Sequence, residues 1–198
     1  KVTFVMILIL SILVIIILFF GLIEFRIHQK ILSKIPIRIH VNGSRGKSSV
    51  VRLIAAGLRS GGVKTVAKTT GTSPRIIDEF GHDKYIHRLR SASIGEQISL
   101  IRRFSKIKPD ALVIECMAVN PQYQWISEHK IVRSTIGVMT NVRPDHLDEM
   151  GISINQITKS MANTIPFNGT LVTAEDKQLS LLESIAKDRN SKFYSTIE

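Results

Sequence analysis

The chain has 198 residues and a formal net charge of +11, with 27 lysines and arginines against 16 aspartates and glutamates. Its single cysteine, Cys116, excludes a disulfide framework and a cysteine-rich metal site, and we expect it to be a small buried side chain. The basic residues are scattered, without zinc-finger spacing or an aromatic–basic RNA motif, so nucleic-acid binding is not expected. The positive charge instead favours an anionic substrate or anionic lipid headgroups.

The first predicted element is an apolar segment that is long enough to cross a membrane. Residues 2–23 contain no charged side chain and are mostly Ile, Leu, Val and Phe. A helix of about 20 such residues spans a hydrocarbon core of about 30 Å. A signal peptide would end in a small-residue cleavage site, and none follows here. We therefore expect an uncleaved, single-pass transmembrane anchor at 1–23.

A basic juxtamembrane linker is predicted at 24–35. Between residues 24 and 38, four basic residues, namely Arg26, Lys30, Lys34 and Arg38, stand against Glu24. Positively charged flanks of membrane segments stay on the cytoplasmic side. The rest of the chain should therefore lie in the cytoplasm, at the inner (cytoplasmic) membrane, where ATP is available.

The remaining residues, 36–198, alternate between strand-like and helix-like runs and are enough for one α/β domain. Strands are predicted at 36–41, 63–67, 111–114, 135–142, 169–173 and from 193, and helices at 46–60, 94–104, 153–164 and 176–188. The polar interval 72–92 is predicted to be a loop. This alternation predicts a mostly parallel, P-loop-type sheet with helices on both faces, and ligands that bind beyond the carboxyl ends of its strands.

The most informative motif lies between the first strand and the first helix. Residues 43–48 read Gly-Ser-Arg-Gly-Lys-Ser, a short form of the phosphate-binding P-loop, with Val41 in place of the first glycine of the full pattern. A surface turn that contains a lysine is the alternative interpretation. Backbone N–H groups at a glycine-rich turn and helix N-terminus attract phosphate oxygens. The residues expected to bind the phosphates of a nucleoside triphosphate are Asn42, Gly43, Ser44, Arg45, Gly46, Lys47, Ser48 and Ser49.

Two polar groups at other predicted strand ends complete the candidate site. Glu115 follows the strand 111–114, where a Walker B acid would stand, and with the Ser48 hydroxyl it would ligate Mg²⁺. An idle, solvated charge is the alternative interpretation of Glu115. The run 141–148 reads Asn-Val-Arg-Pro-Asp-His-Leu-Asp, so His146 stands between two carboxylates at a strand end. We predict that His146 and Asp145 belong to the same site.

The loop at 43–48, Glu115 and the box at 141–148, in this order, resemble the Mur ligase superfamily. Within it, four further runs are similar to the B subunits of poly-γ-glutamate synthases: 68–72, 94–97, 115–121 and 164–169. The resemblance covers about residues 1–190 and includes the anchor, which the cytosolic members of the superfamily lack. It implies a domain like the central domain of a Mur ligase.

The resemblance also implies an ATP- and Mg²⁺-dependent amide ligase. Such an enzyme activates the γ-carboxylate of a polyglutamate chain as an acyl phosphate and joins it to the amine of glutamate. Lys47, Glu115 and His146 match catalytic positions: the phosphate-binding lysine, a ligand of the ATP-bound metal together with Ser48, and a ligand of a second metal. Residues expected to contact substrate or to support the metal ligands are Thr70, Arg75, Asn141 and Asp145.

The same resemblance implies membrane subunits of a synthase complex as partners and leaves a homo-oligomer open. At the superfamily's usual distance after the box histidine, where a carbamylated lysine often stands, this chain has Met161, and the nearest lysine is Lys159. No counterpart of the superfamily's C-terminal lobe is present, so we expect the chain to be part of a longer protein. Two alternatives remain at this point: an anchored P-loop NTPase that ligates nothing, and a non-catalytic scaffold subunit.

Overall fold

The computed structural model describes residues 2–71, 73–86 and 94–196. Thr72, in one of the runs that carry the resemblance, and part of the polar interval 72–92 lie outside the described residues. In chain order the elements are α1 (Val2–Leu32), β1 (Ile37–Asn42), α2 (Lys47–Ser60), β2 (Thr65–Thr69), β3 (Arg75–Ile77), β4 (Asp83–Tyr85), α3 (Ile94–Ser105), β5 (Ala111–Glu115), α4 (Pro121–Ile126) with a π-helical turn (Ser127–Val132), β6 (Ile136–Met139), α5 (Leu147–Met150), α6 (Ile154–Met161) with a 3₁₀ turn (Ala162–Thr164), β7 (Thr170–Thr173), α7 (Leu179–Asp188) and β8 (Lys192–Ser195).

The described strands form one sheet in the order β4-β3-β2-β5-β1-β6-β7-β8. All neighbours from β2 to β8 are parallel, whereas β3 pairs antiparallel with β2 and with β4. The predicted mostly parallel sheet is confirmed. The prediction of a loop at 72–92 is wrong where β3 and β4 form. These edge strands have three residues each, and β4 is exposed, so they carry no alternating apolar pattern.

Helices cover both faces of the sheet, as predicted. In β5, Leu112 packs with α3 residues such as Phe104 on one face. Val113 points to the other face and packs with Val51 and Ala55 of α2. Successive side chains of a strand alternate between faces, so the uninterrupted apolar run of β5 is a consequence of burial on both sides.

Local signals account for the ends of several helices. Gly46 precedes α2 with φ 83°, a left-handed conformation that glycine adopts readily, and α2 ends before Gly61, as predicted. Ser153 and Gln156 form a reciprocal capping box at the start of α6, which confirms the predicted serine cap. The sequence analysis missed α4, although Asn120 caps it and Pro121 occupies its first position.

The apolar segment is part of one continuous helix, α1, that passes through the predicted boundary between anchor and linker. Its portion Thr3–Leu32 is long and apolar enough to cross a membrane, by length and composition. The last turns of α1 pack on the domain: His28 Nε2 lies 2.8 Å from the carbonyl oxygen of Ile131, and Leu32 is buried in the core. Residues 24–32 of the expected linker are therefore helical and partly docked.

A buried ion pair joins β1 to the π-helical turn. His40 Nδ1 lies 2.8 Å from Glu128 Oε2, and both side chains are fully buried. The other oxygen of Glu128 accepts hydrogen bonds from the backbone N–H and the hydroxyl of Ser134 at 2.8 and 2.9 Å. Burial by itself would lower the pKa of His40, but its interactions with Cys116 and Glu128 outweigh burial and raise the pKa to about 10. His40 is therefore protonated at neutral pH.

This pair predicts a loss of stability in alkaline solution. The pKa of His40 is about 10 in the folded chain, against about 6.5 for an unperturbed histidine. The contribution of His40 to the free energy of unfolding is complete at pH values below about 6.5. It declines between pH 6.5 and about 10, and it is absent above that range. We expect the free energy of unfolding, measured with urea in detergent from pH 7 to 10, to fall by roughly 1 kcal/mol more per pH unit than in His40→Gln. Parallel slopes for the two proteins would contradict the assignment.

Candidate active site

A cavity of about 330 Å³ lies beyond the carboxyl ends of β1, β2 and β5. Three groups of predicted site residues meet there, because parallel strands present their carboxyl ends at one edge of the sheet. The P-loop contributes Gly43 and Lys47, β5 contributes Glu115, and the box contributes Asp145 and His146. Ligands were expected at this edge, and the structure places these residues together around one cavity.

The P-loop turns through two glycines with positive φ. Gly43 has φ 135° and Gly46 has φ 83°, conformations that L side chains rarely adopt. Gly43 also packs tightly: a Cβ atom there would collide with Thr140 Oγ1 and lie 3.0 Å from the carbonyl oxygen of Asn141. The glycine at 43 is therefore required both by backbone conformation and by space.

The segment that follows β6 holds the P-loop in place. Asn141 accepts hydrogen bonds from the backbone N–H of Ser44 through its carbonyl (3.0 Å) and from that of Arg45 through its side chain (3.2 Å). The Arg45 carbonyl in turn accepts from Thr140 Oγ1 and Asn141 Nδ2. Ser44 Oγ donates to the carbonyl of Arg143 and accepts from its N–H. The Asn141 and Ser44 side chains thus fix the loop to the segment that follows β6.

Asn42 was expected to bind phosphate, but its side chain points into the helical layer. Its Nδ2 atom donates to Gln124 Oε1 at 3.0 Å and lies within hydrogen-bonding distance of two acceptors around Met161 and Thr164. Its Oδ1 atom accepts from the N–H of Gly43 at 2.8 Å. With these contacts Asn42 anchors the start of the loop, and the structure does not turn its side chain towards a phosphate.

Lys47 lies folded across the loop that precedes it. Its Nζ atom donates to the carbonyl oxygen of Gly43 at 2.6 Å and approaches that of Ser44 at 3.5 Å. The ammonium group therefore sits on the concave side of the P-loop, where a terminal phosphate would replace these carbonyl contacts. Ser49 was also expected here, but it is exposed on α2 and does not line the cavity.

Glu115 is the most buried charged group of the cavity. Its Oε2 atom accepts hydrogen bonds from Ser48 Oγ at 2.7 Å and from the backbone N–H of Thr70 at 2.8 Å. The predicted pair of magnesium ligands is thus in contact, and Thr70 supports it through its backbone. Hydroxyl and carboxylate oxygens are donors that Mg²⁺ prefers, and one or two carboxylates suffice because the ion keeps several waters. The donor set fits the ion that the sequence implied.

The box residues Asp145 and His146 also line the cavity. His146 adopts a left-handed conformation with φ 45° before α5, and its Nε2 atom lies 3.8 Å from Asp145 Oδ1. Asp145 also lies 3.7 Å from the exposed guanidinium of Arg45. Within the described residues, no group of three His, Cys, Asp or Glu side chains is placed to hold a metal ion. The role of His146 as a ligand of a second metal stays a prediction.

Arg75 is another predicted site residue that lies away from the cavity. It lies on β3 with its guanidinium 3.7 Å from Asp83 and 5.9 Å from the centre of the Tyr85 ring. Both partners belong to β4, so the unpredicted hairpin explains the difference. Arg75 does not line the cavity.

One residue of the site region, Lys68, carried no recognisable signal, whereas Met161 was marked by its distance from His146. Lys68 is fully buried at the end of β2, with its Nζ atom 3.4 Å from Glu96 Oε1 of α3; a lone lysine in a strand gives no hint of a buried pair. Met161 lines the cavity, whereas Lys159 is exposed on α6. The position expected for a carbamylated lysine therefore does reach the site, with a thioether in place of an amine. Cys116 also lines the cavity and is buried, as predicted.

Residues 41–197 match the Mur ligase middle domain, and the chain belongs to this family. It is 41% identical over 189 residues to the capsule biosynthesis protein CapB of Bacillus anthracis. This alignment covers 94% of this chain and 41% of that protein. It is also 41% identical over 179 residues to the PGA synthase CapB of Bacillus subtilis (strain 168), covering 89% and 46%. The chain thus spans less than half the length of these relatives. The predicted similarity to poly-γ-glutamate synthase B subunits is confirmed.

Solved structures share the fold at lower identity. E. coli FolC in complex with ADP superimposes with a TM-score of 0.66 at 16% identity, over 88% of this chain and 46% of that one. A bifunctional folylpolyglutamate synthase/dihydrofolate synthase with Mn, AMPPNP and L-glutamate bound gives a TM-score of 0.63 at 17% identity, over 87% and 46%. The predicted fold, similar to that of a Mur ligase central domain, is confirmed.

Two glycines of the same region give a matched test of the loop geometry. Gly43→Ala should lower the free energy of unfolding by about 1–3 kcal/mol, because the loop must move away from the strained backbone conformation and the Thr140 contact. Gly57→Ala lies in α2 with open space around the new Cβ and should raise it by about 0.5–1 kcal/mol. Chemical denaturation in detergent measures both. A Gly43→Ala variant with the same free energy of unfolding as the unchanged chain would contradict the described packing.

Proposed function

We propose that this chain is the ATP-binding part of an amide ligase that extends poly-γ-glutamate, with ATP and Mg²⁺ as cosubstrate and cofactor. The contact between Ser48 Oγ and Glu115 Oε2, in one cavity with Lys47, carries the proposal. The family membership and the 41% identity to two CapB proteins, one of them a PGA synthase, support the substrate class.

The proposed chemistry shows what the site must supply. A carboxylate is a poor acylating group at neutral pH, and phosphorylation by ATP turns one of its oxygens into part of a good leaving group. The amine of the incoming glutamate then attacks the acyl phosphate, and phosphate leaves as the amide forms. Negative charge develops on the transferred phosphoryl group, so the enzyme needs fixed positive charge there.

The P-loop residues supply binding and charge. The backbone N–H groups at the start of α2 face the phosphates, and the N-terminal end of the helix favours negative charge. Lys47 exchanges its contact with the Gly43 carbonyl for the terminal phosphate. Mg²⁺, held through Ser48 and Glu115, would neutralise phosphate charge. We assign Asp145 and His146 to the binding of the acceptor carboxylate, since they line the same cavity as Lys47 and Glu115.

The surface charge suits the proposed substrates. Glutamate and a growing polyglutamate chain are both anionic, and the chain carries a net charge of +11. Opposite charge raises the local concentration of such substrates at the cavity. We propose that other subunits of a membrane complex join the protein in elongation.

We propose further that α1 anchors the protein in the cytoplasmic membrane with the domain on the ATP side. Its apolar length and the basic residues that follow it support this placement. Retention in the membrane fraction after alkaline carbonate extraction is the expected result, whereas release with peripheral proteins would contradict an anchor. An impermeant thiol reagent should label a cysteine placed in the domain only after lysis.

Lys47→Ala in the full-length protein tests the proposed function. Removal of one charge that stabilises the transition state should reduce polymer synthesis by roughly 100-fold or more, while insertion in the membrane stays intact. Glutamate-dependent polymer formation with ATP is the measurement. Lys187→Ala, which removes an exposed lysine from the end of α7, is the matched control and should retain activity. Polymer output within a few-fold of wild type in Lys47→Ala would remove the P-loop from the mechanism.

A further inference from the structure

A second cavity, of about 550 Å³, lies where α1 meets the domain. Its walls come from α1 (Phe25 and Gln29), from the beginning of β1 (Arg38) and from the π-helical turn and its neighbours. The P-loop follows the other end of β1. The two cavities lie at opposite ends of β1, whose six residues span about 20 Å at about 3.3 Å per residue. This cavity is therefore not part of the candidate active site.

The position of the cavity along α1 places it at the depth of lipid headgroups. If the apolar residues 3–22 fill the hydrocarbon core, Phe25 lies about 5 Å and Gln29 about 10 Å beyond its edge, at 1.5 Å per residue. Headgroups occupy the layer within roughly 5–8 Å of that edge. Of the wall formed by α1, Phe25 thus lies within the headgroup layer and Gln29 just outside it, on the side of the domain.

The cavity carries an excess of positive charge. Arg38, Lys130 and Arg133 line it, and within the described part of the chain none of the three forms an ion pair with a carboxylate. Their contacts are with neutral groups: Arg38 donates to the carbonyls of Arg133 and Ile35, Arg133 Nη1 donates to Gln29 Oε1, and Lys130 Nζ lies 5.3 Å from the centre of the Trp125 ring. Burial and the nearby charge of Arg133 lower the pKa of Arg38.

Glu128 is the acidic residue of the lining, and its oxygens are already engaged. One oxygen pairs with the protonated His40, and the other accepts two hydrogen bonds from Ser134. Because His40 balances its charge, Glu128 does not neutralise the arginines and the lysine. An anion in the cavity would therefore meet three basic side chains without a competing free carboxylate from the lining.

Aromatic side chains form the rest of the rim. The ring of His129 lies 5.0 Å from that of Trp125 and 4.8 Å from that of Phe167, between centroids. Trp125, Phe167 and Phe25 of α1 are all exposed although they are large and apolar. Aromatic residues are enriched at the membrane–water interface, where one end of the ring system is apolar and the other is wet. Basic and aromatic groups together suit a charged headgroup that is attached to an apolar body.

We propose that this cavity binds the phosphate headgroup of an anionic phospholipid from the cytoplasmic leaflet. Arg133 and Lys130 contact the phosphate, Arg38 adds charge at the base, and the aromatic rim receives the glycerol region. The lipid would then bridge α1 and the π-helical turn and fix the domain against the membrane surface. The inference rests on the proposed anchor but not on the proposed ligase activity.

Trp125 makes the test direct, because it is the only tryptophan of the 198-residue chain and it lines the cavity. The chain, purified with α1 in neutral detergent, is titrated with short-chain phosphatidylglycerol while the emission of Trp125 is recorded. We expect a saturable change, with affinity at least tenfold higher than for phosphatidylcholine of the same chain length. Equal affinities for the two lipids would overturn the proposal.

Two double variants separate the site from general charge. Lys130→Gln/Arg133→Gln should weaken phosphatidylglycerol binding by roughly tenfold or more, because two charge-assisted contacts are lost. Lys159→Gln/Lys187→Gln removes the same charge from exposed positions on α6 and α7 and should leave the affinity within twofold. Equal losses in both variants would show a diffuse electrostatic effect and overturn the proposal.

Inorganic phosphate distinguishes a lipid from a soluble anion as the occupant. Titrated at constant ionic strength, it should bind at least tenfold more weakly than phosphatidylglycerol, since it lacks the glycerol and acyl contacts. Phosphate that binds as tightly as the lipid would overturn the lipid assignment. Flotation of the chain with liposomes tests the anchor separately: a chain that floats but does not discriminate between the lipids contradicts this inference alone.

Discussion

Glu115 is a carboxylate buried at the end of a central strand, and the candidate site is organised around satisfying it. A buried charge without partners would be costly, so its oxygen accepts from Ser48 at the start of α2 and from the backbone of Thr70 after β2. These two hydrogen bonds tie three elements to one point. They also keep the Ser48 hydroxyl and the carboxylate together, as shared coordination of one cation would require.

Buried polar contacts on one face of the sheet orient β1, which pairs with the strand of Glu115. Along β1, Ile39 and Val41 pack against α2, whereas His40 and Asn42 point to the other helical layer and bond to Glu128 and Gln124. Loss of either partner would leave a buried polar group unpaired, which is costly, so these contacts specify how α4 and the π-helical turn sit on the sheet. The same turn contacts the end of α1 and thereby connects the site to the end of the domain on which α1 docks.

The parts of the molecule that follow from local patterns could be predicted from the sequence. The apolar runs locate the central strands. The P-loop, Glu115 and the box follow these strands in sequence, and parallel strands present their carboxyl ends at one edge of the sheet. Arg75 and Asn42 could not be placed in this way. The position of Arg75 depends on a hairpin of two short edge strands, and the direction of the Asn42 side chain depends on acceptors about 80 and 120 residues away in sequence. Long-range pairing of polar groups leaves no periodic signal.

The central claim is that the cavity activates a carboxylate rather than only hydrolysing ATP. Transfer of ¹⁸O tests it most directly, in the full-length protein with its partner subunits, ATP, and glutamate and short poly-γ-glutamate that both carry ¹⁸O in the free γ-carboxylate. An acyl phosphate carries one carboxylate oxygen into the phosphate that leaves as the amide forms. We predict one ¹⁸O atom in each phosphate released per amide bond, measured by mass spectrometry. Phosphate that contains no ¹⁸O while polymer forms would contradict activation through an acyl phosphate.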